Sequence, residues 1–133
     1  MKIIDGKDTP LGRLASYVAK EALRGEKISV INCEEIIVTG SRRDIEEKLR
    51  AKRKRVGSAQ QGPKPSMTRQ MIVKSAIKGM LPNPRRGRGK EALKRIKCYV
   101  GLPKEFEKEK RTHIETEKKK KFVYIQEISR WLN

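Results

Sequence analysis

The first 32 residues place a helical pattern between two short apolar runs, and this order constrains the fold more than any other feature of the chain. Lys2–Asp5 is a β-branched run, and residues 28–32 are nearly all apolar, as in a strand covered on both faces. Between them, Thr9 and Pro10 indicate a helix start as N-cap and first helical residue, and Gly25 indicates its end. The apolar stripe has helical spacing: Leu11, Leu14, Ala15, Val18, Ala19, Ala22 and Leu23. This strand–helix–strand order predicts an α/β domain.

A second apolar run, residues 36–39, follows residues 28–32 after only three intervening residues. That connection is too short for the crossover between two parallel neighbours in one sheet. Two alternatives stay open: one bent strand, or a second strand that is not in the same parallel sheet.

A strongly basic helix is predicted next, because Ser41 and Asp44 have the spacing of a capping box. Eight Lys or Arg side chains lie within residues 42–55. The apolar positions are sparse: Ile45, Leu49 and Val56. The helix is therefore expected to be mostly solvated or mostly in contact with an anionic partner. Residues 57–65 are polar and predict a mobile loop.

A third helix is predicted after Ser66, which can cap it, and Pro82 and Pro84 end it. Its apolar side has the Met-rich pattern that is typical of core packing: Met67, Met71, Ala76, Ile77 and Met80. The next segments predict, in order, a basic loop, a short helix and a strand: residues 84–89, 90–95 and 96–100.

The C-terminal segment has a different character. Residues 104–121 are charge-dense and predict an extended or weakly helical stretch. Residues 122–125 predict a closing strand or turn. Ile128, Trp131 and Leu132 then predict a small helix that docks on the body or on a partner.

The charge of the chain indicates its partner. Lys and Arg number 34 against 16 Asp and Glu, so the formal net charge is +18 over 133 residues, the size of one domain. Such an excess repels itself and is best tolerated beside a polyanion. No apolar run approaches the roughly 20 residues of a spanning helix, and the N-terminus lacks the apolar stretch of a signal peptide. An intracellular protein that binds nucleic acid, with no membrane partner, is therefore expected.

Three places in the sequence are candidates for enzymatic chemistry. Residues 39–43 form a strand-to-helix turn that could hold a phosphate, but the spacing of a P-loop or dinucleotide fingerprint is absent. Asp5, Asn32 and Thr39 would lie near the carboxyl ends of strands, yet each also suits a cap or turn. His113, the single histidine, sits in the most charged segment without an orienting neighbour. No catalytic residue, cofactor, metal or small-molecule substrate is predicted.

Cys33 and Cys98 lack the close pairing and His spacing of a zinc site. Small buried thiols are the favoured interpretation. A disulfide stays open for a hyperthermophilic source, toward which the Glu- and Lys-rich, Asn- and Gln-poor composition leans weakly.

Two segments, residues 8–40 and 76–101, contain a series of short motifs that occur in a fixed order. They are Leu11-Gly12-Arg13-Leu14-Ala15, Val30-Ile31-Asn32, Thr39-Gly40, Gly79-Met80-Leu81-Pro82, and Tyr99 with Gly101. Together they resemble the signature regions of the thirteenth large-subunit ribosomal protein family, and they cover about half of the chain. Residues 57–66 and the charged extension differ from the bacterial pattern and look more like the archaeal and eukaryotic branch.

The resemblance implies a three-layer α/β/α domain around a mainly parallel four-stranded sheet, with basic loops and a charged C-terminal extension. It also implies a structural protein of the cytoplasmic ribosome that binds large-subunit ribosomal RNA and neighbouring ribosomal proteins and acts in subunit assembly. Residues 1–103 are then expected to be an α/β RNA-binding core with basic helix and loop insertions. Residues 104–133 are expected to be a charged extension ending in a short helix.

Three basic surfaces are predicted to contact RNA: the second helix, one face of the third helix and the basic loop. With Arg13, the predicted RNA-binding residues are Arg42, Arg43, Lys52, Arg53, Lys54, Arg55, Lys64, Arg69, Lys74, Lys78, Arg85, Arg86, Arg88 and Lys90. Only three Tyr, two Phe and one Trp occur, none interleaved with these clusters, which favours contact with RNA shape and backbone over base stacking. An RNA-processing or RNA-modifying enzyme and a DNA-binding chromatin protein are the alternatives.

Overall fold

A computed structural model describes residues 2–54, 68–114 and 121–132. The helices and strands are, in chain order, β1 (Lys2–Asp5), α1 (Leu11–Leu23), β2 (Ile28–Ile31), β3 (Ile37–Thr39), α2 (Arg42–Lys54), α3 (Arg69–Met80), α4 (Gly87–Lys94), β4 (Ile96–Cys98), β5 (Thr112–His113), β6 (Phe122–Tyr124) and α5 (Ile125–Leu132). Two single turns of 3-10 helix are also present, at Cys33–Glu35 and Lys104–Phe106.

The main sheet has four parallel strands in the order β4–β2–β1–β5. Strands β1 and β2 are joined by α1, which is the predicted strand–helix–strand unit. The register pairs Ile4 with Val30 and Val30 with Cys98, so one face of the sheet carries an unbroken apolar row. The α/β fold with a four-stranded parallel sheet is confirmed, and it is consistent with the three-layer α/β/α class.

Helices α1, α3 and α4 cover one face of this sheet. Fully buried side chains from the three helices, including Leu14, Val73 and Ala92, pack with Ile4 and Val30 of the strands. Because side chains alternate along a strand, Ile3 and Ile31 point to the opposite face. There the cover is the turn Lys104–Phe106, whose Phe106 is buried against Ile3 and Ile31.

Strand β3 lies outside the main sheet and decides between the two alternatives for residues 36–39. It pairs antiparallel with β6, matching Val38 with Val123. The turn Cys33–Glu35 separates it from β2, and Asn32 enters that turn with a left-handed φ of 55°. The second strand is therefore a separate one.

The predicted start of α1 is wrong by one residue. Pro10 is extended, with φ −60° and ψ 133°, so the helix begins at Leu11. The reason is a contact with β3: the Ile37 amide donates to the Thr9 carbonyl at 3.0 Å, and Pro10 forms a bridge with Ile37. The Thr9 hydroxyl donates to the Lys7 carbonyl at 3.2 Å instead of capping the helix. The predicted end is confirmed, since Gly25 follows α1 with φ +100°.

The predicted apolar side of α3 is only partly its core face. Ile77 is fully buried, as predicted, but Met71 and Met80 are 42% and 46% exposed, and Val73, which was not among the predicted residues, is fully buried. The helix is rotated so that this valine and isoleucine, one turn apart, lie in the apolar core with side chains of α1. Ala76, another predicted member of this apolar side, is half-buried. Met67 and the predicted cap Ser66 lie outside the described residues.

Half of the predicted basic loop is helical. Helix α4 begins at Gly87, so Arg85 and Arg86 lie in the preceding turn while Arg88 and Lys90 lie in the first turn of the helix. Strand β4 is also shorter than predicted and ends at Cys98.

The segment after residue 104 is weakly helical at Lys104–Phe106 and extended at Thr112–His113, as predicted, but its pairing with the main sheet was not predicted. Its strand β5 pairs in parallel with β1, matching Asp5 with His113, and thereby completes the main sheet. Strand β6 and helix α5 dock on the body, as predicted: the Tyr124 hydroxyl donates to Asp8 Oδ1 at 2.9 Å, and Ile125 is buried in the core.

Candidate nucleic-acid interface

Helix α2 is rich in basic side chains and has little apolar surface. Ser41 caps it, since its hydroxyl accepts from the Asp44 amide at 3.3 Å. The helix attaches to the body through its half-buried Ile45 and Leu49 and through contacts with α5. On its outer side, the side chains of Arg42, Arg43, Lys52 and Lys54 are exposed.

Two arginines of α2 are engaged along the helix. Arg43 Nε donates to Glu47 Oε1 at 3.1 Å, and Arg50 pairs with Glu46 at 2.6 Å. Such exposed pairs, four residues apart, contribute only a few tenths of a kcal/mol and release their arginine at small cost. They orient the two arginines, and among the described residues no ion pair involves a lysine of α2.

A contact that the sequence pattern did not reveal fixes the start of α2. The guanidinium carbon of Arg42 lies 4.7 Å from the ring centroid of Trp131, a cation–π distance. Trp131 lies on α5 and is half-buried. The C-terminal helix thus positions the basic helix, and only the tertiary structure reveals it because the two residues are distant in the chain.

The turn before α4 and its first helical turn form a compact group of exposed cations: Arg85, Arg86, Arg88 and Lys90. Within residues 2–54, 68–114 and 121–132, no acidic side chain forms an ion pair with any of the four. They surround the N-terminus of α4, where free backbone N–H groups and the helix dipole favour an anion. This group is suited to a phosphate backbone.

Gly89 explains how these cations are brought together. A Cβ at this position would lie 1.7 Å from the Pro82 carbonyl oxygen, so only glycine lets α4 pack against the start of the α3–α4 turn. The run of glycines in the sequence favours a loop, whereas in the structure Gly87 and Gly89 lie in the first turn of α4.

The other predicted residues are distributed over two parts of the fold. Arg13 is exposed on α1, and Arg69, Lys74 and Lys78 lie on α3, in the same helical layer as α4. Helix α2 is attached separately, through α5. Arg53 lies in α2, and Arg55 and Lys64 lie outside the described residues.

Lys74 is half-buried, and its positive charge influences the thiol of Cys98. Its charge contributes to lowering the pKa of Cys98, although the larger cause is a hydrogen bond from Cys33. The same hydrogen bond and burial raise the pKa of Cys33. The two cysteines are neighbours and both are free thiols, Cys33 buried and Cys98 half-buried.

Of the catalytic candidates, Asp5 and Asn32 have a structural role. Asn32 Nδ2 donates to Asp5 Oδ1 at 2.9 Å, and the Lys7 amide donates to the same oxygen at 3.0 Å. Thr39 is in the separate β3–β6 sheet, and His113 is exposed on the edge strand β5. The structure therefore brings Asp5, Asn32 and His113 to one end of the sheet and leaves Thr39 elsewhere.

The fold and the distribution of charge define a basic α/β scaffold for a polyanion. In the ranges that the structure describes, no group of three or more His, Cys, Asp or Glu is arranged to hold a metal ion, and no helix has the length and apolarity needed to cross a membrane. The family model described as ribosomal protein L13 matches residues 1–105, and the chain belongs to that family. The family is one of ribosomal structural proteins and not of enzymes, which confirms the prediction of a non-catalytic protein.

The chain is similar to several proteins named large ribosomal subunit protein uL13. One from Thermoplasma volcanium is 38% identical over 99% of this chain and 98% of its own length. One from Natronomonas pharaonis is 41% identical over 96% of this chain and 87% of its own length. One from Methanococcus maripaludis is 42% identical over 77% of this chain and 77% of its own length. These relatives are archaeal, which agrees with the branch that the sequence resembled.

Proposed function

We propose that this protein is a structural component of the large subunit of the cytoplasmic ribosome, where it binds and organises large-subunit ribosomal RNA during subunit assembly. Family membership supports the ribosomal role. The main support for RNA binding is the group of cations around the N-terminus of α4. These charges have no intramolecular acidic partner in the described residues, so they are available to phosphates. Neighbouring ribosomal proteins are expected partners.

Three surfaces would act together in this role. Helix α2 and the lysines and arginine of α3 would follow the RNA backbone, while the α4 group would hold phosphates at one point. Arginine suits the α4 group because its planar fork can donate to two phosphate oxygens at once. The predicted RNA-binding residues are retained as this proposal, including Arg13 on α1.

The first test removes the α4 arginines. Changing Arg85, Arg86 and Arg88 together to Ala should weaken binding to a large-subunit ribosomal RNA fragment by roughly 100-fold, because each of the three charged contacts contributes on the order of 1 kcal/mol. The measurement is a filter-binding titration at fixed ionic strength, together with incorporation into the large subunit on a sucrose gradient. Thermal unfolding should stay nearly unchanged, since all three side chains are exposed.

A charge-matched control distinguishes a specific surface from bulk charge. Lys104, Lys108 and Lys110 are also exposed, and changing all three to Ala removes the same three charges outside the proposed surfaces. Equal losses of affinity for the two triple variants would contradict the α4 assignment. Comparable affinity for duplex DNA and ribosomal RNA would favour a chromatin protein instead.

A further inference from the structure

The face of the main sheet opposite the three helices carries a cavity of about 640 Å³. It exists because Lys104–Phe106, a single 3-10 turn, covers only part of that face in the portion of the chain that the structure describes. The cavity lies between β2, β4, the end of α4 and this turn. Its volume falls within the range of small-molecule and nucleotide sites, about 300–1,000 Å³.

The rim of the cavity is basic. Lys27, Lys94 and Lys97 line it, and all three are exposed. None of them is among the ion pairs formed within residues 2–54, 68–114 and 121–132. The lining arginine, Arg95, is already engaged, because one of its terminal nitrogens donates to the Ala22 carbonyl at 3.1 Å. Three lysines therefore remain for an anion.

Two acidic residues also line the cavity and reduce its positive charge without cancelling it. Glu91 is directed toward Arg95, with a closest separation of 4.0 Å between the charged atoms. Glu105 is exposed on the covering turn. The lining therefore contains four basic side chains, three lysines and Arg95, and two carboxylates. The formal excess of positive charge is complementary to a phosphate group.

The wall of the cavity contains a fixed aromatic ring. Tyr99 is half-buried, and its ring meets Phe106 edge-on, with centroids 5.5 Å apart and an interplanar angle of 61°. The Tyr99 backbone is held on both sides, since its amide donates to Val30 at 2.8 Å and its carbonyl accepts from Cys33 at 3.2 Å. A ring that is positioned before binding loses little entropy when a base stacks on it.

We propose that this cavity binds an unpaired nucleotide of an RNA strand, with Tyr99 against the base and Lys94, Lys97 and Lys27 around the phosphates. The combination of lysines and a fixed aromatic ring is the one that proteins use for single-stranded RNA. None of these residues belongs to the three basic surfaces described above, so this is a separate contact on the other face of the sheet. It rests on the proposed function, in that the RNA would be an unpaired segment of the ribosomal RNA.

The test compares a single-stranded probe with a paired one. The full-length protein is titrated with an oligouridylate of about eight nucleotides and, separately, with a blunt RNA duplex. Tyr99→Leu should weaken oligouridylate binding by roughly 5- to 100-fold and leave duplex binding unchanged. The double change of Lys94 and Lys97 to Ala should have the same selective effect, and Tyr99→Phe should bind like the wild type because it keeps the ring.

The outcomes separate the two proposals. The two cavity variants are Tyr99→Leu and the double change of Lys94 and Lys97 to Ala. If the wild-type protein binds the ribosomal RNA fragment but both variants bind oligouridylate as the wild type does, the cavity proposal is overturned and the proposed function stands. If the wild-type protein binds no RNA, both proposals fail. If the cavity variants instead lose affinity for a polyglutamate peptide while keeping oligouridylate binding, the cavity takes an acidic protein segment and the RNA assignment is wrong. The lysine pair keeps the test decisive should Tyr99→Leu not fold.

Discussion

Glu21 is a carboxylate almost removed from solvent, and it joins helix α1 to strand β1. Its Oε2 accepts from Lys2 Nζ at 2.6 Å, and its Oε1 accepts from Arg24 at 3.0 Å. The hydrogen bond from Lys2 holds the pKa of Glu21 below its ordinary value of 4.5, although burial acts in the opposite direction. The native state therefore favours the ionised carboxylate, and this stabilisation is present above pH 4.5 and is lost as the pH falls through the lowered pKa.

Changing Glu21 to Gln should lower the unfolding temperature at neutral pH by a few degrees and flatten the decline of that temperature on the acid side. The reason is that the amide keeps the shape but cannot carry the charge that Lys2 and Arg24 stabilise. Circular dichroism melts between about pH 3 and 7 provide the measurement. Glu26→Gln, at an exposed position nearby, is the control. Parallel pH profiles for Glu21→Gln and the wild type would refute this role.

The elements show where local patterns suffice and where they do not. The strand–helix–strand unit was predictable because its apolar residues repeat with the periods of strand and helix. In α3 the burial of Ile77 was predictable, but the burial of Val73 in place of Met71 and Met80 was not, because methionine and valine both satisfy a helical repeat and only packing on α1 selects between them. The first turn of α4 was mistaken for a loop because glycine has a poor helix propensity, whereas the close approach at Gly89 requires it.

Gly89→Ala should therefore destabilise the protein by about 1–3 kcal/mol or more, because the added methyl group meets the rigid Pro82 carbonyl. Gly12→Ala is a matched control in α1, where a Cβ meets nothing within 4 Å. That change should stabilise the protein by up to about 1 kcal/mol through helix propensity. Urea unfolding of both variants provides the comparison, and equal effects would show that the α4 contact is not tight.

The molecule as a whole is dominated by its net charge of +18. If about eight phosphates are neutralised, affinity for large-subunit ribosomal RNA should fall roughly 10⁴-fold between about 50 and 200 mM salt, because each contact releases condensed counterions. Titrations across that salt range measure the slope. A nearly flat dependence would rule out the electrostatic account, whereas the Tyr99→Leu variant should keep the wild-type slope because stacking releases no ions.

The α/β class, the family resemblance and the expectation of a negatively charged partner all followed from the sequence alone. They depend on the local period of apolar residues, on the order of short motifs along the chain and on the net excess of Lys and Arg. None of these requires knowing which residues are neighbours in the folded structure. The tertiary structure decided that β3 pairs with β6, that β5 completes the main sheet and that Tyr99 shares a cavity with Lys27 and Lys94. Strand partners and clustered side chains come from positions far apart in the chain, so local periodicity carries no record of them.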